Sequence, residues 1–156
     1  MKIILIAVGT KMPAWVEAGF QEYIRRLPPE FTFELKELTQ ARRTHSTPAA
    51  KARELEGRAI LEALPKKAHI IALDERGKEF SSLELGAKWT AWESMGENLV
   101  LLIGGPDGLT DECRNRADEL WSLSRLTLPH TLVRVVLAEC LYRAYSIARG
   151  LPYHRA

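Results

Sequence analysis

The segment that decides the fold is residues 98–110, which read NLVLLIGGPDGLT. Its first half is a short, continuous apolar run, the pattern of a strand buried on both faces of a parallel sheet. Glycines follow directly, where they permit positive φ angles and a close approach of the backbone to a ligand. The spacing matches neither the G-x-G-x-x-G of dinucleotide-binding folds nor the ending of a P-loop. Residues 104–108 therefore form either a ligand-binding loop or a tight strand-to-helix turn, and the loop alone leaves both open.

Strands and helices alternate on both sides of this segment. Apolar runs and period-two alternation predict five strands, at residues 2–8, 31–38, 69–73, 98–103 and 121–126. Helical patterns predict helices at residues 13–27, 48–64, 81–96 and 132–149, with another beginning near Thr110. Thr47 is the expected N-cap of the second helix, and Ser81 with Glu84 has the capping-box pattern. Residues 74–78 are expected to form a charged turn. The alternation predicts an α/β sandwich on a mostly parallel sheet, a single domain over residues 1–156.

A second unusual segment is residues 121–130, WSLSRLTLPH. The stretch from Leu126 to Pro129 stays apolar where a polar turn would be usual, so we expect this loop to be buried. A buried loop needs partners for its backbone N–H and C=O groups. An adenine ring held between leucines would supply them, and neighbouring loops could also do so. In parallel sheets ligands bind beyond the carboxyl ends of the strands. The loops after Leu73, Ile103 and Leu126 are therefore the expected site.

Composition excludes several classes of protein. The chain has 156 residues, of which 46% are hydrophobic and 27% charged, as in an ordinary globular protein. The apolar run at residues 3–8 is too short for a secretion signal, and no stretch is long enough to span a membrane. Only two cysteines are present, which favours a reduced, cytoplasmic protein. A net charge of +2 does not by itself indicate a nucleic-acid partner.

Metal chemistry is not expected either. The four histidines, at positions 45, 69, 130 and 154, show no ligand spacing, and Cys113 and Cys140 lie far apart in helix-like segments. His69 opens an apolar strand, where a structural role is the simplest interpretation. The last predicted helix carries Arg134, Glu139 and Arg143 among apolar residues, and a solvated helical stripe would account for them equally well.

Several ordered motifs together resemble one family. They are Leu73-Asp74, LLIGGPDGL at residues 101–109, SLSRLTLPH at residues 122–130, LVRVVLAECLYRA at residues 132–144, LIAVGTKMP at residues 5–13 and PYHR at residues 152–155. At these spacings the chain is similar to the RlmH family of SPOUT RNA methyltransferases over its whole length. Residues 40–65 are the least distinctive part.

The resemblance implies a fold and a reaction. The fold would be the SPOUT α/β fold, whose cofactor-binding part, about residues 70–150 here, is threaded through a C-terminal trefoil knot, an exception to the general rule against knots. Members of the family are cytoplasmic homodimers. They use S-adenosylmethionine, which becomes S-adenosylhomocysteine, to methylate the N3 nitrogen of a pseudouridine in helix 69 of 23S rRNA in the assembled ribosome. No metal and no membrane would be involved.

Matching positions imply which residues bind the cofactor. These are Leu73, Gly104, Gly105, Leu123, Ser124, Arg125, Leu126, Thr127 and Leu128.

Catalytic candidates follow from residue type, because the N3 position of a uracil ring must lose a proton before it is methylated. His130, Tyr153 and His154 are the candidate proton acceptors or water-positioning groups. Arg134, Arg143 and Arg155 are candidates for binding phosphate or for offsetting charge on the uracil oxygens.

Two other classes of protein stay open on the sequence alone. A non-catalytic ribosome-associated protein could share the α/β core, although it would not need both unusual loops. A Rossmann-like nucleotide enzyme would explain the alternation, although the phosphate-binding spacing is absent.

Overall fold

A five-stranded parallel sheet forms the centre of the molecule, in a computed structural model that describes residues 1–155. The strands are β1 (Lys2–Val8), β2 (Thr32–Leu38), β3 (His69–Lys78), β4 (Leu99–Ile103) and β5 (Glu119–Trp121). Their order across the sheet is β2-β1-β4-β3-β5, and every pairing is parallel. All of β4 is buried, as its unbroken apolar sequence predicts.

Helices cover both faces of the sheet. They are α1 (Ala14–Ile24), α2 (Ala49–Ala63), α3 (Ser82–Met95), α4 (Asp111–Arg116) and α5 (His130–Ala148). Side chains alternate along a strand, so Ile3 and Leu5 pack with α1, α3 and α5, whereas Ile4 and Ile6 pack with α2 and α4. The predicted α/β sandwich is therefore confirmed.

β3 is longer than predicted, and the expected charged turn at residues 74–78 is wrong. The backbone continues as strand to Lys78, which pairs with Trp121 after a register shift. Gly77 permits the close approach of the two strands, because a Cβ there would lie 2.6 Å from the carbonyl carbon of Leu120. Glu75, Arg76 and Lys78 are exposed in this half of the strand, so its sequence lacks the apolar pattern from which a strand is predicted.

The fifth predicted strand is also wrong beyond its first residue. β5 ends at Trp121, and residues 122–129 form an irregular loop. Serine side chains bond the backbone here: the Ser122 hydroxyl donates to the Ser124 carbonyl over 3.0 Å, and the Leu126 amide donates to Ser124 Oγ over 2.9 Å. Such local bonds compete with a strand ladder.

Helix ends match the prediction in part. The capping box of Ser81 and Glu84 is present, and Gly96 ends α3 with a φ of 71°. Thr47 is not an N-cap, because α2 begins after Pro48 without a side-chain cap. The Thr47 amide donates instead to Thr44 Oγ1. α5 begins at His130, so this histidine lies in the first helical turn and not in a loop.

α5 packs against both α1 and α3 on one face of the sheet. The α/β fold on a parallel sheet agrees with the resemblance, and the knot stays a prediction. Across residues 1–155 no helix has the length and hydropathy needed to cross a membrane.

Candidate functional site

A cavity of about 670 Å³ lies at the carboxyl ends of β4 and β5, beside the middle of β3. It is bounded by Leu73 and Asp74 in the middle of β3, by the glycine loop (residues 104–108) after β4, and by much of the leucine loop (residues 122–129) after β5. This is the edge where parallel sheets bind ligands. The three loops singled out by sequence therefore meet at one site.

The glycine loop is shaped by its own backbone. Gly104 and Gly105 are buried, and the Gly108 amide donates to the Gly105 carbonyl over 3.0 Å. A Cβ on Gly104 would lie 2.7 Å from the carbonyl carbon of Gly108, so no larger residue fits without a backbone shift. Gly108 has a φ of 78°, which favours glycine. The loop therefore presents backbone to the cavity at close range.

The leucine loop forms the opposite wall, and its predicted burial is wrong. Leu126 is 75% exposed, and Arg125 and Thr127 are exposed as well. Leu123, Ser124, Leu126, Thr127 and Leu128 line the cavity, whereas Arg125 is not part of the lining. Leu126 faces open space, whereas Leu123 packs against the core and Leu128 is half-buried.

An ion pair that sequence analysis missed closes one side of the cavity. Arg114 Nη1 donates to Asp74 Oδ2 over 3.2 Å and to the Leu109 carbonyl over 2.6 Å. The Arg76 amide donates to the other Asp74 oxygen over 2.8 Å. Asp74 directly follows a predicted strand, and this position could have identified it as a site residue from the sequence. Its partner lies 40 positions later, so the pair itself could not be read from the sequence.

Other polar side chains missed by the sequence analysis also reach the cavity. They are Arg53, Glu75, Arg76 and Asp107. The cavity is therefore lined by both positively and negatively charged side chains.

His130 lies on the cavity wall at the start of α5. Burial lowers the pKa of its imidazole, and the nearby positive charge of Arg134 lowers this pKa further. The position at a helix N-terminus acts in the same direction. The neutral imidazole is therefore favoured near pH 7, and this form can accept a proton.

Arg134 is buried and does not line the large cavity. It is 2% exposed, and its guanidinium donates to Glu37 Oε2 over 2.5 Å and to the Gly9 carbonyl over 2.7 Å. The solvated-stripe interpretation is therefore wrong for this residue. The structure also does not support direct contact between Arg134 and a ligand in the large cavity. Its visible effects are to join α5 to the ends of β1 and β2 and to act on His130.

The remaining catalytic candidates form a separate cluster, in which Arg143 of α5 lies beside the tail residues Tyr153 and His154. Arg143 Nε and the Tyr153 hydroxyl donate to Glu139 Oε1 over 2.8 Å and 2.9 Å, and Arg143 Nη1 lies 3.3 Å from His154 Nδ1. Burial and the hydrogen bond to Glu139 raise the pKa of Tyr153 to about 12. Arg155 is exposed beyond them.

This cluster is remote from the cavity of its own chain. From His130 to Arg143 the helix advances about 20 Å, at 1.5 Å per residue. None of Arg143, Tyr153 and His154 lines the cavity. The structure therefore separates the candidates that the sequence analysis had grouped, leaving His130 alone at the strand ends.

The cavity is suited to an organic ligand. Its volume falls in the range of small-molecule sites, about 300–1,000 Å³. Leu73, Ile103, Leu128 and Val133 supply apolar surface for a ring, and the glycine loop supplies backbone donors and acceptors. Within residues 1–155 no three His, Cys, Asp or Glu side chains group as metal ligands would.

The fold and the cavity define a parallel α/β protein with a cavity of nucleotide size and without a phosphate-binding glycine motif. Comparison with known proteins gives the family. A family model described as "Predicted SPOUT methyltransferase" matches residues 1–154. The chain belongs to the SPOUT methyltransferase family, and within it to the RlmH group.

Relatives of this group match over almost their whole length. The chain is 54% identical to "Ribosomal RNA large subunit methyltransferase H" of Thioalkalivibrio sulfidiphilus, covering 99% of both chains. It is 49% identical to the protein of the same name from Hahella chejuensis, again covering 99% of both. The identity to the Saccharophagus degradans protein of that name is 54%, over 99% of this chain and 100% of the relative.

Proposed function

We propose that this protein transfers a methyl group from S-adenosylmethionine to the N3 nitrogen of a pseudouridine in helix 69 of 23S rRNA. The observation that carries the proposal is the cavity where the glycine and leucine loops meet in a chain of this family. The names of the relatives support ribosomal RNA of the large subunit as the substrate. The assembled ribosome in the cytoplasm would be the site of action.

The residues of the cavity fit the proposed cofactor. Leu73 and Leu128 would flank the adenine ring, and the backbone of Gly104 and Gly105 would bond the adenosine. S-adenosylmethionine supplies an electrophilic methyl group on a good leaving group, so positioning provides much of the rate. Arg125 is exposed and lies outside the cavity lining, so it is better placed to meet RNA or a second subunit.

His130 is the proposed acceptor of the N3 proton. It lies on the cavity wall, and its lowered pKa keeps the imidazole neutral at the pH of the cytoplasm. General bases of this kind must reach the proton they remove, directly or through one water molecule. No other histidine lines the cavity among the described residues.

We further propose that the active protein is a homodimer in which the partner's tail completes the site. The proposal rests on the separation of His130 from Arg143, which is about 20 Å along α5. Tyr153 and His154 belong to the same cluster as Arg143. The exposure of Leu126 fits a wall that a second subunit covers in part. Arg143 and Arg155 would then contact RNA beside the partner's cavity.

Mixing of two inactive variants tests the shared site. His130→Ala and Arg143→Ala proteins are each expected to be inactive. After subunit exchange about one quarter of wild-type activity should return, because half of the dimers are mixed and each holds one intact site of two. Activity that stays absent, in a mixture shown to contain mixed dimers, would contradict a site built from both chains.

Transfer of labelled methyl to ribosomes tests the reaction itself. Ribosomes lacking the modification should gain one methyl group, located by nucleotide mapping in helix 69. Label at another nucleotide, or none, would overturn the proposed function. A thermal shift separates the other two classes, since S-adenosylmethionine should raise the melting temperature whereas NAD and ATP should not.

A further inference from the structure

A buried carboxylate lies directly beneath the glycine loop. Glu56, on α2, is 3% exposed, and its Oε1 would be 2.9 Å from a Cβ placed on Gly105. Its Oε2 accepts the Ala41 amide over 3.0 Å. A charge this deeply buried requires a partner of opposite sign.

That partner is Arg43, in the loop of residues 39–48. Arg43 Nη1 donates to Glu56 Oε2 over 2.6 Å and to the Ala41 carbonyl over 2.7 Å. The same guanidinium reaches the other way, with Nε and Nη2 donating to Asp107 Oδ2 over 3.1 Å and 2.9 Å. One side chain therefore ties α2 to the exposed tip of the glycine loop.

The exposed tip of the glycine loop is held by this link and by the hydrogen bond from the Gly108 amide to the Gly105 carbonyl. Pro106, Asp107 and Gly108 are exposed, and the loop contains three glycines, which lose much conformational freedom when fixed. Arg43 uses all three of its nitrogens in the contact, and its planar fork suits bonds to two carboxylates. It lies outside the cavity lining and so acts through the loop.

We propose that Arg43 is a positioning residue, which holds the glycine loop in the shape that binds the methyl donor. The inference rests on the proposed function and names a residue that serves it. When the bridge is lost, the loop samples other conformations, and the apparent affinity falls in proportion to the fraction that remains competent. A residue that only neutralised Glu56 would affect stability and leave affinity unchanged.

Calorimetric titration with S-adenosylmethionine and S-adenosylhomocysteine, without RNA, tests this. Arg43→Met should weaken both affinities about tenfold, as expected if one molecule in ten keeps the competent loop. Arg42→Met is the matched control, because Arg42 is an exposed neighbour with the same charge. It should bind like the wild type. Arg43→Lys should restore part of the affinity.

A second variant separates positioning from folding. Arg43→Met leaves Glu56 buried without its partner, so the double variant Arg43→Met with Glu56→Gln removes both charges. It should fold and still bind weakly. Hydrogen exchange of the backbone amides of residues 104, 105 and 107–109 should be faster in Arg43→Met and in the double variant than in Arg42→Met.

The outcomes distinguish the two proposals. If the wild type does not bind the methyl donor, the proposed function fails. If the wild type binds and the folded Arg43 variants bind equally well, the positioning role is overturned. Loss of affinity in Arg42→Met to the same degree would also overturn it, since charge alone would then explain the effect.

Discussion

The glycine loop and the leucine loop face each other across one cavity, yet the chain holds them very differently. The glycine loop is closed by the bond from Gly108 to Gly105 and tied to α2 through Arg43. The leucine loop is held mainly by Ser122 and Ser124, and its Leu126 is 75% exposed.

The difference indicates that the chain preforms the glycine-loop wall of the cavity and leaves the leucine-loop wall partly uncovered. A preformed wall lowers the ordering cost of binding, whereas an open apolar wall gains stability only when something covers it. The proposed cofactor and second subunit would both cover the leucine loop. In the free protein, therefore, the glycine loop is held in its binding shape and the leucine loop is not.

The largest expected effect lies where the leucine loop enters α5. His130→Ala should lower kcat about 10²- to 10⁴-fold, the usual contribution of a general base. Its affinity for S-adenosylmethionine should change little. His45→Ala, in an exposed loop, is the control and should retain full activity. A parallel fall in cofactor affinity would show that His130 is only part of the wall.

Breaking the rigid wall should have the next largest effect. Gly104→Ala forces a Cβ to within 2.7 Å of Gly108, and overpacking of this kind costs about 1–3 kcal/mol. If that cost falls on the binding conformation, cofactor affinity measured by calorimetry drops about 5- to 150-fold. Gly96→Ala is the control: it strains a positive φ far from the cavity, so stability should fall while affinity does not. Unchanged affinity in Gly104→Ala would contradict a preformed wall.

The open wall should respond more weakly. Leu126→Ser removes an apolar side chain that is exposed in the free subunit, so the folding of that subunit should be unaffected. Cofactor affinity should fall about fivefold, since covering a leucine completely contributes about 1.5–3 kcal/mol and the cover here is partial. Leu83→Ser, with 61% exposure on α3, is the matched control. Equal affinities for both variants and the wild type would show that nothing packs on Leu126.

The sequence was sufficient for those parts of the fold whose burial is complete. β1 and β4 are apolar on both faces, so their patterns carried clear bounds. The far half of β3 was misjudged because its strand structure depends on pairing with the distant β5. The end of β5 was misjudged because Ser122 and Ser124 form local hydrogen bonds in place of a strand ladder.

The site was predictable only where it follows strand ends. Leu73, Gly104 and Leu128 were placed correctly by that rule, and all three line the cavity. The Asp74–Arg114 pair and the bridge through Arg43 join residues distant in sequence, so only the folded chain reveals them. Tyr153 and His154 lie against α5 because the tail folds back over the helix, and no local sequence pattern predicts this folding back.

The smallest expected effect is a shift in the pH profile of kcat/KM. It depends on His130, next to the leucine loop, and on Arg43, which contacts the glycine loop. Burial and Arg134 lower the pKa of His130, and Arg43 acts in the same direction while Glu56 opposes it. A lowered pKa keeps the imidazole neutral to lower pH, so the acid limb of kcat/KM should lie below the ordinary histidine value of 6.5. In Arg43→Met one positive charge is lost, and the limb should move upward towards that value. Methyl transfer to ribosomes across the pH range, with Arg42→Met as control, measures both positions. A wild-type limb at or above 6.5 would mean that the imidazole is more solvated than the cavity wall around it implies.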